Sequence, residues 1–486
     1  MITTEDHRCT SRNIKASFMS NALWWVVCCQ PLVVWAVVSL LPTFDDWTYL
    51  TSPQTAPFSF SLLLPWDTYW RPFDGLTGYL VGRDIRLFPL LNHLLVLSAH
   101  LISTVLVYLI SRRLKFDNTA TNIAVLFFYF SPGMLGTVLD IDSINQASTL
   151  MWGLAVVYVS LLQCRHRRLL MAICLLMAIL CKENGLTFII ISPLLTYAFG
   201  KRNKRDISLD FVWLATVGIL YLALRFCLPQ DNVEIGSVYF EGGVAQKLRN
   251  IGMFLGFSWV PVDFVSLLHP PSRNLLLVVL TLALGIPFLA MLWTRQRRHL
   301  LSKPFIGLML CALVAASMHL ATIFTVMHAY AGLPFIALSV AYLFQQSSSR
   351  SSLQWAFLMW LVSVLVIDVH HTLKAYESGM TGKRMAEQVL EQTKAPCGRV
   401  QMLVVDDNYP KYSMFCVIPY QAFGWGAAVR YATGYEWPQE IEERLLTDED
   451  TTLIRGMAQE AFGKGYDGVW VICHDKVKVL TLEKTK

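Results

Sequence analysis

The chain has 486 residues, 55% of them hydrophobic and only 15% charged, with a mean hydropathy of +0.46. A soluble protein carries about 25% charged residues, so this composition excludes an ordinary soluble enzyme and puts most of the chain in lipid. The formal net charge of +6 does not point to nucleic acid, because the basic residues fall in short loops between apolar stretches, the pattern that orients a membrane protein.

The segment 1–21 is polar, carries Arg8, Arg12 and Lys15, and is expected on the cytoplasmic side. The first span runs from Leu23 to Leu41; it is too long for a signal peptide and lacks a small-residue cleavage site, so it is expected to be retained. It ends on Phe44-Asp45-Asp46-Trp47-Thr48-Tyr49. An acid pair at a helix exit either ends the span in water or marks a functional site, since carboxylates near hydrocarbon are costly.

A first outer loop, 42–86, holds Trp70-Arg71-Pro72-Phe73, Asp74, Arg83, Asp84 and Arg86. The second span reaches Ile110, and the third covers Thr121–Phe130, before Ser131-Pro132-Gly133 and a loop with Asp140 and Asp142. The fourth is Ala147–Leu162. Two short ones, Leu169–Leu180 and Leu186–Phe199, flank Cys181-Lys182-Glu183-Asn184-Gly185. Phe211–Leu228 follows, then an apolar but Pro261- and Asp263-interrupted stretch, Ile251–Leu268, read as re-entrant or surface-lying. The last spans are Leu275–Trp293, Phe305–Ile323, Ala329–Phe344 and Trp355–Ile367, giving about eleven in the membrane domain 22–370.

With this count the clusters at Arg112, Arg165, Lys201 and Arg295 share the side of the N-terminus, as the positive-inside rule demands. The acid pair, the Asp140–Asp142 loop, Lys182-Glu183 and the chain beyond His370 share the other side. Residues 371–486 read as a small extracytoplasmic α/β domain, with strands at Val400–Val405 and Gly468–Cys473 and amphipathic helices at Gln439–Leu446 and Leu453–Phe462. Asp406-Asp407 and Thr447-Asp448-Glu449-Asp450 are explained as a loop and a helix N-cap. The eleven cysteines show no ligand spacing, and those in spans (Cys28, Cys29, Cys174, Cys181, Cys311) read as small core hydrophobes. Cys397, Cys416 and Cys473 leave room for one disulfide of unreadable pairing.

Several polar residues need partners. His93 and His100 lie near one helix face, but about 10 Å of rise separates them, too far to share one ion, so hydrogen bonds to neighbouring helices are expected. Lys182 suits an anion near the membrane surface and Glu183 an arginine from another loop; an ordinary charged hairpin is the alternative. Arg71, Lys182 and Arg225 all fall on the outer side and together suit a phosphate at headgroup level. His328-Ala329-Tyr330 opens a late span on the same side. No metal site is readable, and any cofactor is unknown.

In this order the motifs resemble the GT-C glycosyltransferases, especially the protein O-mannosyltransferases and their relatives carrying tetratricopeptide repeats. That branch has an Asp-Asp or Asp-Glu pair, a Tyr-Arg-Pro-Leu stretch, a His-x-x-Asn-x-x-x-His helix and a Lys-Glu turn. Here Trp70 replaces the Tyr, Val96 the Asn, and Gly136 stands where an acid is common, with Asp140 or Asp142 as the replacement. The segment 353–486 has no period of about 34 residues, so the repeats are absent.

The resemblance implies a polytopic α-helical GT-C enzyme that moves a sugar from a polyprenyl-phosphate donor to an acceptor hydroxyl on a protein, glycolipid or glycan, with inversion. It implies Asp45 or Asp46 as base and Arg71, Lys182 and Arg225 on the donor phosphate. Glu183, Asp142, His93, His328 and Tyr330 would be orienting or acceptor-binding groups. The expected setting is a bacterial inner membrane, N-terminus cytoplasmic and C-terminus extracytoplasmic. A transporter or flippase of lipid-linked saccharides, or a non-catalytic scaffold, is the competing reading; the outer clustering of polar groups and the lack of paired broken helices argue against transport.

Overall fold

Capping side chains start several of the helices. Asp117 accepts from Ala120 N at 2.8 Å, Asn203 from Asp206 N at 2.8 Å and Asn274 from Leu277 N at 3.1 Å; each satisfies a backbone donor that a helix start leaves orphaned. The computed structural model describes residues 21–44, 46–47, 63–64, 70–73, 76–77, 90–228, 243–268, 273–321, 324–348, 350–405, 419–434, 436–446 and 450–481. Asp45, Asp74, Arg83, Asp84, Arg86, Asp406, Asp407, Cys416 and 447–449 lie outside the described residues.

The helices in chain order are α1 (Ala22–Val38), α2 (Leu90–Arg113), α3 (Asn118–Phe130), α4 (Ile144–Ser160), α5 (Arg167–Cys181), α6 (Phe188–Ala198) and α7 (Lys204–Cys227). They continue as α8 (Val244–Trp259), α9 (Leu275–Gln296), α10 (Lys303–Leu320), α11 (Leu333–Gln345) and α12 (Arg350–Gln392). A helix forms at each stretch read as a span. Among the described residues five (α2, α7, α9, α10 and α12) are long and apolar enough to cross a membrane, or six if α3 and the turn Pro132–Val138, bent by 47°, count as one. The molecule is thus a polytopic membrane protein, and the shorter helices are what separate five or six from eleven. Side chains on α7, α9 and α12 that point away from the protein are large and apolar (Phe226, Leu276 and Trp355), as a lipid-facing surface requires.

The Ile251–Leu268 stretch divides into α8 and a short turn, Phe264–Leu268, after Pro261. α8 buries Asn250, Phe254, Ser258 and Trp259.

Helix α12 runs 43 residues, past position 370 and into the C-terminal domain. There β1 (Arg399–Val405), β2 (Glu440–Leu446), β3 (Gly468–Cys473) and β4 (Lys476–Thr481) form a sheet ordered β2-β1-β3-β4. β1 pairs parallel with β2 and β3, and β4 antiparallel with β3. One sheet face sets Val400, Met402, Val404 and Trp470 against Met385, Ala386 and Val389 of α12. The other sets Leu403, Val469 and Val471 against Ala458 and Ala461 of α13 (Thr451–Gly463), capped by Asp450. This is a three-layer arrangement built on alternating strand faces. The edge strand β4 is covered by α12: Gln388 accepts from Val477 N at 2.7 Å and Gln392 from Val479 N at 3.0 Å, which occupies donors an open edge would expose.

Two readings of the tail change. Gln439–Leu446 is not a helix: Glu440–Leu446 is β2, held in parallel register with β1, because strand pairing overrides the helix preference of its Glu, Arg and Leu residues. Cys397, one of the three cysteines considered for a disulfide, is a free thiol.

Candidate active site

The chain leaves α1 through Thr43 and Phe44. Phe44 has φ 53°, a left-handed conformation costing a non-glycine residue about 1–2 kcal/mol, and it turns Asp46 back into the protein. Asp46 is 2% exposed and its carboxylate ties the turn after α1 to the loop after α3. Oδ2 accepts from Thr43 N at 3.2 Å; Oδ1 accepts from Ile141 N at 2.8 Å and Asp142 N at 3.0 Å. Thr43 Oγ1 meets Ser378 Oγ of α12 at 3.1 Å, and Trp47 Nε1 donates to Ala422 O at 2.8 Å. Trp47 and Ile141 belong to the same buried cluster as Phe423, Trp437 and Trp470 of the C-terminal domain. That domain therefore grips both acid-bearing loops.

Asp46, Asp140 and Asp142 place carboxylate oxygens within 4.8 Å of one another. Burial pushes the Asp46 carboxyl up to about 6, helped by the charge of Asp142 and opposed by the Asp140 hydrogen bond. Burial also holds Asp140 well above the carboxylate range, with the charges of Asp142 and Asp46 adding to it. A raised folded-state value favours the folded state below the unfolded value of 3.8, and that gain disappears as pH rises through about 6. Three crowded carboxylates are relieved either by a shared proton or by a cation, and an all-oxygen set suits a hard divalent ion such as Mg²⁺ or Mn²⁺.

A cationic cluster begins four residues beyond Asp142. Gln146, buried on α4, accepts from Lys182 Nζ at 3.2 Å, donates to Thr137 Oγ1 at 3.3 Å and donates to Met327 O. Gly185 lets the Glu183–Thr187 turn lie against α5: a Cβ there would sit 2.6 Å from the Ala178 carbonyl carbon. Glu183 pairs with Arg71, in the segment between α1 and α2, at 3.0 Å. Trp70 stacks on Tyr221 of α7 with centroids 5.1 Å apart. Arg225 is buried in the last turn of α7, one helical turn beyond Tyr221. The charges of Lys182 and Arg71 also reach His319, whose ring stacks on His328 at 4.1 Å. His328 Nδ1 in turn accepts from Thr325 N at 3.0 Å.

The remaining candidates sit elsewhere in the packing. Tyr330 is buried and its hydroxyl meets His100 Nδ1 at 3.0 Å; His100 Nε2 meets Tyr129 O at 3.3 Å. His93 is buried beside Leu40. His319 and Gln146 were not singled out from sequence: each lies in an apolar helix, and only the partner from another segment makes it notable.

No family model and no curated protein sequence matches the chain. In three dimensions it aligns with the crystal structure of ArnT from Cupriavidus metallidurans bound to undecaprenyl phosphate, with TM-score 0.51 and 11% identity over 95% of this chain and 98% of that one. The chain has the GT-C glycosyltransferase fold. Two structures of the Archaeoglobus fulgidus oligosaccharyltransferase align less closely. The apo form gives TM-score 0.44 and 13% identity over 84% of this chain and 64% of that one. AglB in complex with an inhibitory peptide and a dolichol-phosphate gives TM-score 0.48 and 12% identity over 92% and 69%. Within the GT-C fold of this chain, the acid cluster lies on the loops after α1 and α3, and the cationic groups come from the loop between α1 and α2 (Arg71), the end of α5 (Lys182) and the last turn of α7 (Arg225).

Proposed function

We propose that the chain is a multi-pass membrane glycosyltransferase that moves a sugar from a polyprenyl-phosphate donor to an acceptor hydroxyl on the extracytoplasmic face, inverting the anomeric carbon. The acceptor is a protein, glycolipid or glycan, and the membrane a bacterial inner membrane with the N-terminus cytoplasmic and the C-terminus extracytoplasmic. The observation that carries this reading is the pairing, within a GT-C fold, of buried carboxylates on one loop pair with Arg71, Lys182 and Arg225 beyond Gln146.

The chemistry needs those two halves. An acceptor hydroxyl attacking the anomeric carbon must lose a proton, and Asp45 or Asp46 takes it; a base in hydrogen-bond reach contributes about 10²–10⁴-fold. The departing lipid phosphate is a good leaving group and needs cations rather than a second carboxylic acid, the task of Lys182, Arg71 and Arg225. Glu183 orients Arg71, and Asp142 is held by the backbone bond to Asp46. A single displacement by one base gives inversion. With Asp46 as base, the transfer rate falls as pH drops through about 6, because the protonated carboxyl cannot accept; a rate constant from pH 5 to 8 shows that limb.

The deciding experiment supplies membranes with labelled polyprenyl-phosphate sugar and measures free polyprenyl phosphate. A transferase releases it, a transporter moves label intact, and a scaffold does neither. Lys182→Ala should weaken donor binding at least about tenfold, the loss of one charge-assisted contact; an unchanged donor affinity removes Lys182 from the phosphate site.

A further inference from the structure

A second cluster of ligand-type side chains lies outside the site described above. Asp263 follows Pro261 in the segment between α8 and the turn Phe264–Leu268, and it is fully buried. His370 Nδ1 stands 2.7 Å from its Oδ2 and His371 Nε2 stands 3.2 Å from its Oδ1. The ligand atoms of all three residues lie within 4.8 Å of one another. Consecutive residues of a helix diverge by about 100°, so two neighbouring histidines converging on one carboxylate is not what helix geometry alone delivers. Both rings reach the same carboxylate, each on its own oxygen.

We propose that Asp263, His370 and His371 form a zinc site that clamps α12 to the 260–268 segment. Two imidazoles and one carboxylate are the donor set of three-protein-ligand zinc centres, with a fourth position left for water. The edges of a tetrahedral zinc shell are about 3.3 Å; the 3.2 Å between His371 Nε2 and Asp263 Oδ1 matches this, and the 2.7 Å between His370 Nδ1 and Oδ2 is a hydrogen-bond distance that widens when the ion replaces the proton. Nitrogen donors favour zinc over magnesium or calcium, so this site differs in metal class from the all-oxygen acid cluster. The surroundings hold the ligands in place: Ser266 N donates to Asp263 Oδ1 at 2.9 Å, and the Phe264 ring packs edge-on against His371 with centroids 4.6 Å apart. Such outer contacts orient ligands before the ion arrives. The His371 side chain is fully buried, whereas that of His370 is 22% exposed and gives the ion its way in from solvent.

The position gives the clamp a task. Seven residues and about 10 Å along α12 from His371, on the same helix face, Ser378 holds Thr43, and Thr43 N holds Asp46. Fixing α12 where it emerges from the helix bundle fixes the buttress behind the acid loop.

The test uses the full-length protein in detergent, stripped with a chelator, titrated with zinc chloride alone and desalted, with bound zinc measured by elemental mass spectrometry. Wild type should retain about one zinc per chain and gain thermal stability with the ion. Cobalt(II) in its place should give the intense visible absorption of a four-coordinate nitrogen–oxygen site. His370→Ala, a change at the part-exposed ligand, should lose the zinc on desalting while the protein still folds, as should His371→Ala and Asp263→Asn, and Asp140→Asn should keep it. No retained zinc in wild type overturns the proposal, as does retention of the full equivalent in His370→Ala or its loss only in Asp140→Asn. The measurement does not depend on transfer activity, so it stands apart from the glycosyltransferase reading.

Discussion

Asp46→Asn should express and fold, at the cost of the one backbone donor it leaves without an acceptor, about 1–3 kcal/mol, yet lose about 10²–10⁴-fold in transfer rate, the contribution of a positioned base. The amide keeps one oxygen, which still accepts from Ile141 N and Asp142 N, bonds of 2.8 and 3.0 Å in wild type. It loses the negative charge and puts an NH₂ where Thr43 N now donates. Asp46→Ala is a different experiment. It strips the acceptor from three backbone donors around a residue 2% exposed, at about 1–3 kcal/mol for each donor left unsatisfied, and should lower thermal stability outright. Comparing the two separates chemistry from architecture: a rate loss in the Asn variant that matches or exceeds that of the Ala variant, with a smaller fall in Tm, belongs to the carboxylate charge. Asp45→Asn completes the set. Full activity in both single Asn variants would remove the pair from the mechanism.

Gly136→Ala should lower stability by about 1–3 kcal/mol, the usual cost of overpacking, and weaken donor binding with it. A Cβ at 136 would lie 2.8 Å from both N and Cα of Met327. These are backbone atoms of the Val326–Ala331 turn, which cannot rotate aside as a side chain would. Displacing that turn moves Met327 O, the acceptor for Gln146 Nε2, and so disturbs the residue that receives Lys182. A melting curve and a donor-binding isotherm check both halves. An alanine variant equal to wild type in each would show that the turn has slack.

How far the sequence could be read differs by element. Apolar stretches located the helices, since each of the eleven stretches carries one, but not which of them cross unaided. β1 and β3 were legible as Val- and Ile-rich runs bounded by turn residues. Glu440–Leu446 was not, because Gln-Glu-Ile-Glu-Glu-Arg-Leu-Leu reads locally as a helix and becomes a strand only beside β1. β4 was missed because Lys476-Val-Lys-Val alternates over too few residues to stand out. In the site, Asp46, Arg71, Lys182, Glu183 and Arg225 were visible as charges near hydrocarbon that need a partner. Gln146 and His319, neutral and ordinary in composition, were not. The Asp263–His370–His371 cluster was hidden for another reason: its ligands are more than a hundred residues apart, and no local spacing encodes such a site.

By itself, then, the sequence determined the solvent this protein folds in, the position of its helices and the gathering of its unusual charges between spans. These follow from hydrophobic transfer and charge desolvation, which act residue by residue. Only the tertiary structure decided which charges meet. Asp46 finds Ile141 and Asp142 across 95 and 96 residues, Arg71 finds Glu183 across 112, and Thr43 finds Ser378 across 335. Such encounters depend on loops closing over packed helices, a collective outcome with no signature in any one stretch of chain.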